Sequence, residues 1–236
     1  MTAMLASVRN RAEAELAAAL GADLIDLKDP AAGALGALPL ATIRAVVPAL
    51  RGRRPSSATL GDLPMDPATL AAAAAATAGT GVDFVKVGLF EHRERRRCID
   101  ALAPLARRAR LIGVLFADQK FDAALLDALA AAGFAGVMLD TAAKERGGLR
   151  AHCSDAALGD FVRRARALGL LTGLAGSLRL DDIAPLAPLG PDYLGFRTAL
   201  CRNRLRSGAL DPHAFAAVRA RLDACTADAA GARSAS

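Results

Sequence analysis

Four lysines pose the first chemical question. The chain holds 26 arginines but only four lysines, Lys28, Lys86, Lys120 and Lys144. Where arginine supplies the surface charge, a lysine marks a position that can use an amine. An amine can lose its proton and attack a carbonyl, and a guanidinium cannot. Lys28 ends the run Leu24-Ile25-Asp26-Leu27, and Lys86 lies inside Phe84-Val85-Lys86-Val87. Lys120 follows Ala117-Asp118-Gln119, and Lys144 follows Asp140-Thr141. The carboxylates Asp29, Asp62, Asp118 and Asp140 stand at comparable points. Ammonium groups gathered in a low-dielectric pocket lower one another's pKa. That is how a lysine becomes a neutral nucleophile near neutral pH. The neighbouring carboxylates can hold the other amines protonated or shuttle protons.

The elements that must position these groups follow from hydrophobic patterning. Short apolar runs end near Ser7, Leu27, Thr59, Val87, Phe116, Leu139, Leu174 and Phe196. Several are nearly continuous in apolar character, as in Leu111 to Phe116, which is how strands buried on both faces of a parallel sheet read. Helical segments alternate with them. Asp66-Pro67 and Asp211-Pro212 each pair an acidic N-cap with proline at the first helical position. Ser154 caps a segment with Leu158, Phe161, Val162, Ala165 and Leu168 on one face. Asp122 opens another segment, which Gly133 is placed to end. Leu70 and the six alanines after it form a helix close to its strand. Eight such units predict an α/β fold, a single-domain (β/α)₈ TIM barrel over residues 1–225 with a flexible tail at 226–236. A doubly wound open sheet is the alternative, but no G-x-G-x-x-G follows the first run.

In such a barrel the active site lies at the C-terminal ends of the strands, the face to which all four lysines map. The seventh and eighth runs end in Leu174-Ala175-Gly176-Ser177 and Gly195-Phe196-Arg197. Small residues there let backbone N–H groups approach a phosphate, and the following helix adds its positive end. Gly176, Ser177, Gly195 and Arg197 are the expected phosphate contacts, Arg197 through a bidentate charge-assisted bond.

Composition narrows the rest. A chain of 236 residues with 53% hydrophobic and 23% charged residues is too apolar for disorder and long enough for one large core. The net charge of +6 suits anionic small molecules without specifying one. Cys98, Cys153, Cys201 and Cys225 lie far apart, which argues against a disulfide scaffold and fits a cytoplasmic setting. His92, His152 and His213 lack metal-site spacing and read as surface or capping residues, so no metal is expected. The arginine clusters 93–97, 107–110 and 163–166 read as solvated helix faces. Without interleaved aromatics, no nucleic-acid partner is expected. No signal peptide and no membrane span is expected. Alanine-rich helix faces suit a homo-oligomer.

Five stretches, DLIDLKDPAAGALGA (23–37), SATLGD (57–62), FVKVGL (84–89), MLDTAAK (138–144) and LAGSL (174–178), resemble the (5-formylfuran-3-yl)methyl phosphate synthase family. The resemblance runs over most of the chain. It implies a Schiff-base lyase of methanofuran biosynthesis, needing no cofactor, whose partner is a small phosphorylated aldehyde. Two molecules of glyceraldehyde 3-phosphate would be joined, with loss of phosphate and water, to 4-(hydroxymethyl)-2-furancarboxaldehyde phosphate. By motif, Lys28 would form the Schiff base and Lys86 would accept the proton. Asp140 and Lys144 would support as an acid/base pair; Gly176, Ser177 and Arg197 would hold phosphate. Asp29, Asp62, Asp118 and Gly195 complete the expected substrate-binding set. The chain departs from the family pattern at Lys120 and in the run Arg202-Asn203-Arg204-Leu205-Arg206. The same residues would serve a class I aldolase acting on another short sugar phosphate, and a non-catalytic phosphate-binding barrel is the reading from another class.

Overall fold

The computed structural model describes residues 1–120 and 122–234; for Lys144 and residues 228–234 the description is of the backbone. Eight strands, β1 (Ala3–Val8), β2 (Leu24–Leu27), β3 (Ser56–Thr59), β4 (Phe84–Gly88), β5 (Arg110–Phe116), β6 (Gly136–Asp140), β7 (Leu171–Leu174) and β8 (Tyr193–Phe196), pair in sequence order. All pairs are parallel, and β8 returns to β1 with Ala3 opposite Tyr193, closing the barrel. A right-handed strand–helix–strand step repeated around a sheet leaves no free edge once it closes, so every strand backbone is paired.

The helices between strands are α1 (Arg11–Ala19), α2 (Leu40–Leu50), α3 (Pro67–Ala78), α4 (Arg95–Ala106) and α5 (Ala124–Ala131). They continue with α6 (Leu149–His152), α7 (Asp155–Ala167), α8 (Ile183–Leu186) and α9 (Pro212–Ser234). The caps follow the sequence: the Asp66 carboxylate accepts the Thr69 N–H at 2.8 Å, and the Ser154 hydroxyl accepts that of Ala157 at 3.3 Å. α3 turns Leu70, Ala74 and Thr77 inward. Its small side chains let α3 lie close to β4 and α4. α9 carries helical backbone through Ser234, across most of the segment 226–236 that the sequence marks as a tail. Residues 235–236 lie outside the described residues. Among the described residues no helix is long and apolar enough to cross a membrane.

Period-two alternation divides the strand side chains between two cores. Met4, Ala6 and Val8 point to the helices, while Leu5, Phe84, Ile112, Met138 and Tyr193 fill the barrel. Gly173 has its place in that inner layer because the Tyr193 ring would lie 2.3 Å from a Cβ there. One register step higher, the same inward positions hold polar groups: Ser7 above Leu5, Asp26 above Leu24, Lys86 above Phe84, Asp140 above Met138. The barrel is therefore apolar at its N-terminal end and charged at its C-terminal mouth.

Candidate active site

A cavity at that mouth is lined by Lys28, Lys86, Asp26 and Asp140, with Ser7 and Met138 beside them. The charged groups come from the even strands. Asp26 and Lys28 are two residues apart on and just beyond β2, so they share its inward face; Lys86 stands on β4 and Asp140 at the end of β6. Lys86 Nζ lies 3.2 Å from Asp26 Oδ1. Asp26 also accepts the Ser7 hydroxyl at 3.0 Å and the Ser57 hydroxyl at 2.6 Å. The carboxylate is 1% exposed, and burial at that depth is tolerable because every neighbour is a donor.

The second pair crosses the barrel. Lys28 Nζ stands 3.8 Å from Asp140 Oδ2, while Asp140 Oδ1 accepts the Thr141 N–H at 2.7 Å. Both side chains are buried. Two amines and two carboxylates thus share one enclosed volume. That set can form an imine and move protons at adjacent atoms. Lys144 begins the short 3₁₀ turn Lys144–Arg146 beyond β6; its side chain lies outside the described residues.

The walls at the ends of β7 and β8 are small and backbone-rich. Gly176 (φ +110°) and Ser177 (φ +50°) turn through the left-handed region, and a Cβ at 176 would sit 3.0 Å from Thr141 Cγ2. Ser177, Leu178 and Thr198 line the cavity, and among the described residues their backbone N–H groups make no hydrogen bond. Gly195 leaves room between Met138 and Ala175. The helix expected to follow β7 is only the four-residue α8, preceded by a 3₁₀ turn at Leu180–Asp182. The donors available to an anion are therefore backbone amides rather than a helix end.

Several expected contacts stand elsewhere, and the reason is common to them. Asp62, beyond β3, accepts the N–H groups of Ala34 and Leu35, both at 2.7 Å. Asp118, beyond β5, accepts those of Ala142 at 2.8 Å and Ala143 at 2.7 Å. Asp29 accepts the N–H of Ala31 at 2.9 Å in its own loop. These carboxylates, expected in the substrate-binding set, fasten the loops after β2 and β6, and none of the three lines the cavity. Partial burial works against the Asp118 charge, but the Ala142 and Ala143 amides outweigh it and hold the carboxyl below the usual carboxylate range.

Arg197 does line the cavity, yet its guanidinium is already saturated. Nη1 lies 2.5 Å from Glu13 Oε2 and donates to Ser7 O at 3.1 Å. Nη2 donates to Glu13 Oε1 at 3.3 Å and Gly208 O at 2.7 Å, and Nε to Arg206 O at 2.8 Å. All five N–H bonds are used within the protein. Arg197 is a clamp between β1, α1 and the segment after β8, and the phosphate contact expected of it would replace one of these bonds.

Lys120 is exposed and outside the cavity; its backbone N–H donates to Glu91 at 3.1 Å. The cluster 93–97 is not wholly solvated. Arg95 is buried, donating to Phe90 O at 2.7 Å and Lys120 O at 3.3 Å, so it ties the loops after β4 and β5. Burial lowers the Arg95 pKa. It raises the thiol pKa of Cys98, Cys153 and Cys201, which disfavours their thiolate forms.

The chain has relatives among known proteins. The pattern that defines the family described as 4-HFC-P synthase matches residues 4–219, from the second residue of β1 to beyond β8. The chain belongs to the 4-HFC-P synthase family. A Methylorubrum extorquens protein provisionally named (5-formylfuran-3-yl)methyl phosphate synthase is 48% identical over 210 residues, covering 88% of this chain and 86% of that one. The (5-formylfuran-3-yl)methyl phosphate synthase of Methanosarcina mazei is 35% identical over 210 residues, covering 84% and 90%. That of Methanopyrus kandleri is 34% identical over 223 residues, covering 89% and 94%. Among solved structures, phosphoribosyl anthranilate isomerase from Thermus thermophilus superposes with a TM-score of 0.66 at 16% identity, covering 95% of this chain and 99% of that one. At that identity the likeness is one of fold. In this member of the 4-HFC-P synthase family, the residue that motif reading passed over is Asp26. Its signal was available: a carboxylate in the inward register of a strand that is otherwise apolar.

Proposed function

We propose that this chain condenses two molecules of glyceraldehyde 3-phosphate through a Schiff base on Lys28, losing phosphate and water to give 4-(hydroxymethyl)-2-furancarboxaldehyde phosphate. The observation that carries the reading is the convergence of Lys28 and Lys86 on one buried cavity, each within 4.0 Å of a carboxylate. Lys28 stands just beyond the end of β2, at the cavity mouth, where an aldehyde arrives first. Its amine attacks the aldehyde carbon, and loss of water gives an iminium. The iminium acidifies the adjacent C–H, and Lys86, as the neutral amine once its ammonium proton has passed to Asp26, takes that proton. The resulting enamine can expel phosphate from the next carbon or attack a second aldehyde. Asp140, with Lys144 following it in the chain, exchanges protons with the hydroxyls formed or lost. The amides of Ser177, Leu178 and Thr198 suit a phosphate monoester.

The names of the family's relatives support the product class, and we read the reaction as a step of methanofuran biosynthesis. We read the enzyme as a cytoplasmic homo-oligomer acting on a small molecule. Incubation with glyceraldehyde 3-phosphate alone tests the reading: phosphate should be released as an ultraviolet band of a conjugated aldehyde grows, and Lys86→Ala should abolish both. Carbon–carbon bond formation without that band would reassign the chain to aldol chemistry on another sugar phosphate.

A further inference from the structure

Among the described residues four cations line the cavity: Lys28, Lys86, Arg197 and Arg206. Three of them face a carboxylate, respectively Asp140, Asp26 and Glu13. Arg206 does not. Among the described residues its guanidinium makes one hydrogen bond, from Nη2 to the carbonyl of Gly33 at 3.2 Å.

The segment that carries Arg206 is firmly built. An antiparallel bridge joins Cys201 to Leu210, and the Arg202 N–H donates to Ala209 O at 3.0 Å. The chain folds back through left-handed Asn203 (φ 56°) and Arg204 (φ 54°). Arg197 holds the carbonyls of Arg206 and Gly208, and Arg9 holds that of Ser207 at 2.7 Å. The Arg206 backbone is thus fixed, while its side chain reaches to Gly33 in the loop that Asp62 anchors. A bond to a neutral carbonyl is readily exchanged for one to a dianion, because charge-assisted hydrogen bonds are roughly twice as strong.

We propose that Arg206 is the phosphate-binding cation of this site. It releases Gly33 O to take the phosphate monoester that the Ser177, Leu178 and Thr198 amides approach, and so selects phosphorylated over unphosphorylated aldehydes. The identity of the substrate rests on the function proposed above; the binding of a phosphate monoester does not.

The test is calorimetric titration of the full chain with glycerol 3-phosphate, which has no aldehyde and cannot form an imine. The parent should bind, Arg206→Ala should weaken binding roughly 10- to 100-fold, and Arg206→Lys should restore part of the loss. Added salt should weaken the parent more than the alanine variant. An unchanged Tm shows that both variants are folded. In turnover, Arg206→Ala should raise KM for glyceraldehyde 3-phosphate with kcat near that of the parent. Equal affinity in parent and Arg206→Ala, or no binding by the parent at millimolar ligand, overturns the assignment. Arg206-dependent binding in a parent that makes no furan supports the assignment and defeats the reaction instead.

Discussion

Lys86 Nζ lies 3.2 Å from Asp26 Oδ1, with the amine on β4 and the carboxylate on β2, both buried inside the barrel. Ser57, on the strand between them, donates to the same carboxylate oxygen. The base proposed here is thereby oriented before substrate arrives, so the proposed proton transfer needs no rearrangement of the site. Asp26→Asn keeps the size of the side chain and an oxygen for one of the two serines, whose hydroxyls bond different carboxylate oxygens, but removes the charge facing Lys86. kcat should fall by about 100-fold or more, while substrate and borohydride still label Lys28. Loss of labelling together with turnover would move Asp26 from the proton-transfer step to imine formation.

The Arg197–Glu13 pair predicts a stability effect. Both side chains are nearly buried, and Glu13 also receives the Arg9 N–H and Nε–H. Arg197→Met leaves the Glu13 charge poorly compensated and should cost about 3 kcal/mol, the low end for a broken buried pair because Arg9 remains. The double variant Glu13→Gln with Arg197→Met should lose less than the two single losses added together. Denaturant unfolding of the four proteins measures the coupling, and additivity would show that the pair is not coupled.

Asp118 predicts a pH-dependent contribution from the loop after β6. Its pKa in the fold lies below the ordinary carboxylate value of about 4. A lowered folded pKa means that the stabilisation is complete above the unfolded value and disappears as pH falls through the folded one. Asp118→Asn, which supplies one acceptor where two are needed, should be about 1–2 kcal/mol less stable at pH 7 after allowance for partial exposure. The difference should shrink towards zero in acid. A gap that stays constant down to pH 2 would show that the Ala142 and Ala143 amides do not hold a carboxylate.

The fold was legible because its signals are local. Strand ends read at Ser7, Leu27, Thr59, Val87, Phe116, Leu139, Leu174 and Phe196 fall within one residue of those observed. Strands covered on both sides must be apolar throughout, and caps such as Asp66 and Ser154 act over three residues. The site was legible in part for the same reason. Lys28, Lys86 and Asp140 interrupt or end apolar runs in inward register, so their meeting follows from closing the barrel.

What escaped the sequence is the direction in which rim side chains turn. Asp62 and Asp118 stand on the rim as expected, but their partners are loop amides 28 and 24 residues away. Arg197 looked available because its partner Glu13 lies 184 residues away in the chain. In the fold α1 carries Glu13 under the end of β8, and the saturated guanidinium follows from that contact. Arg206 lay in a stretch that departs from the family pattern, so no motif pointed to it.

The imine on Lys28 is tested most directly by mass spectrometry after reaction with glyceraldehyde 3-phosphate and borohydride. The parent should carry one covalent adduct, located to Lys28, and Lys28→Arg, which keeps the charge without a usable amine, should carry none. An adduct of equal yield on Lys28→Arg, or one located to Lys86 in the parent, would contradict the assignment of Lys28 as the nucleophile.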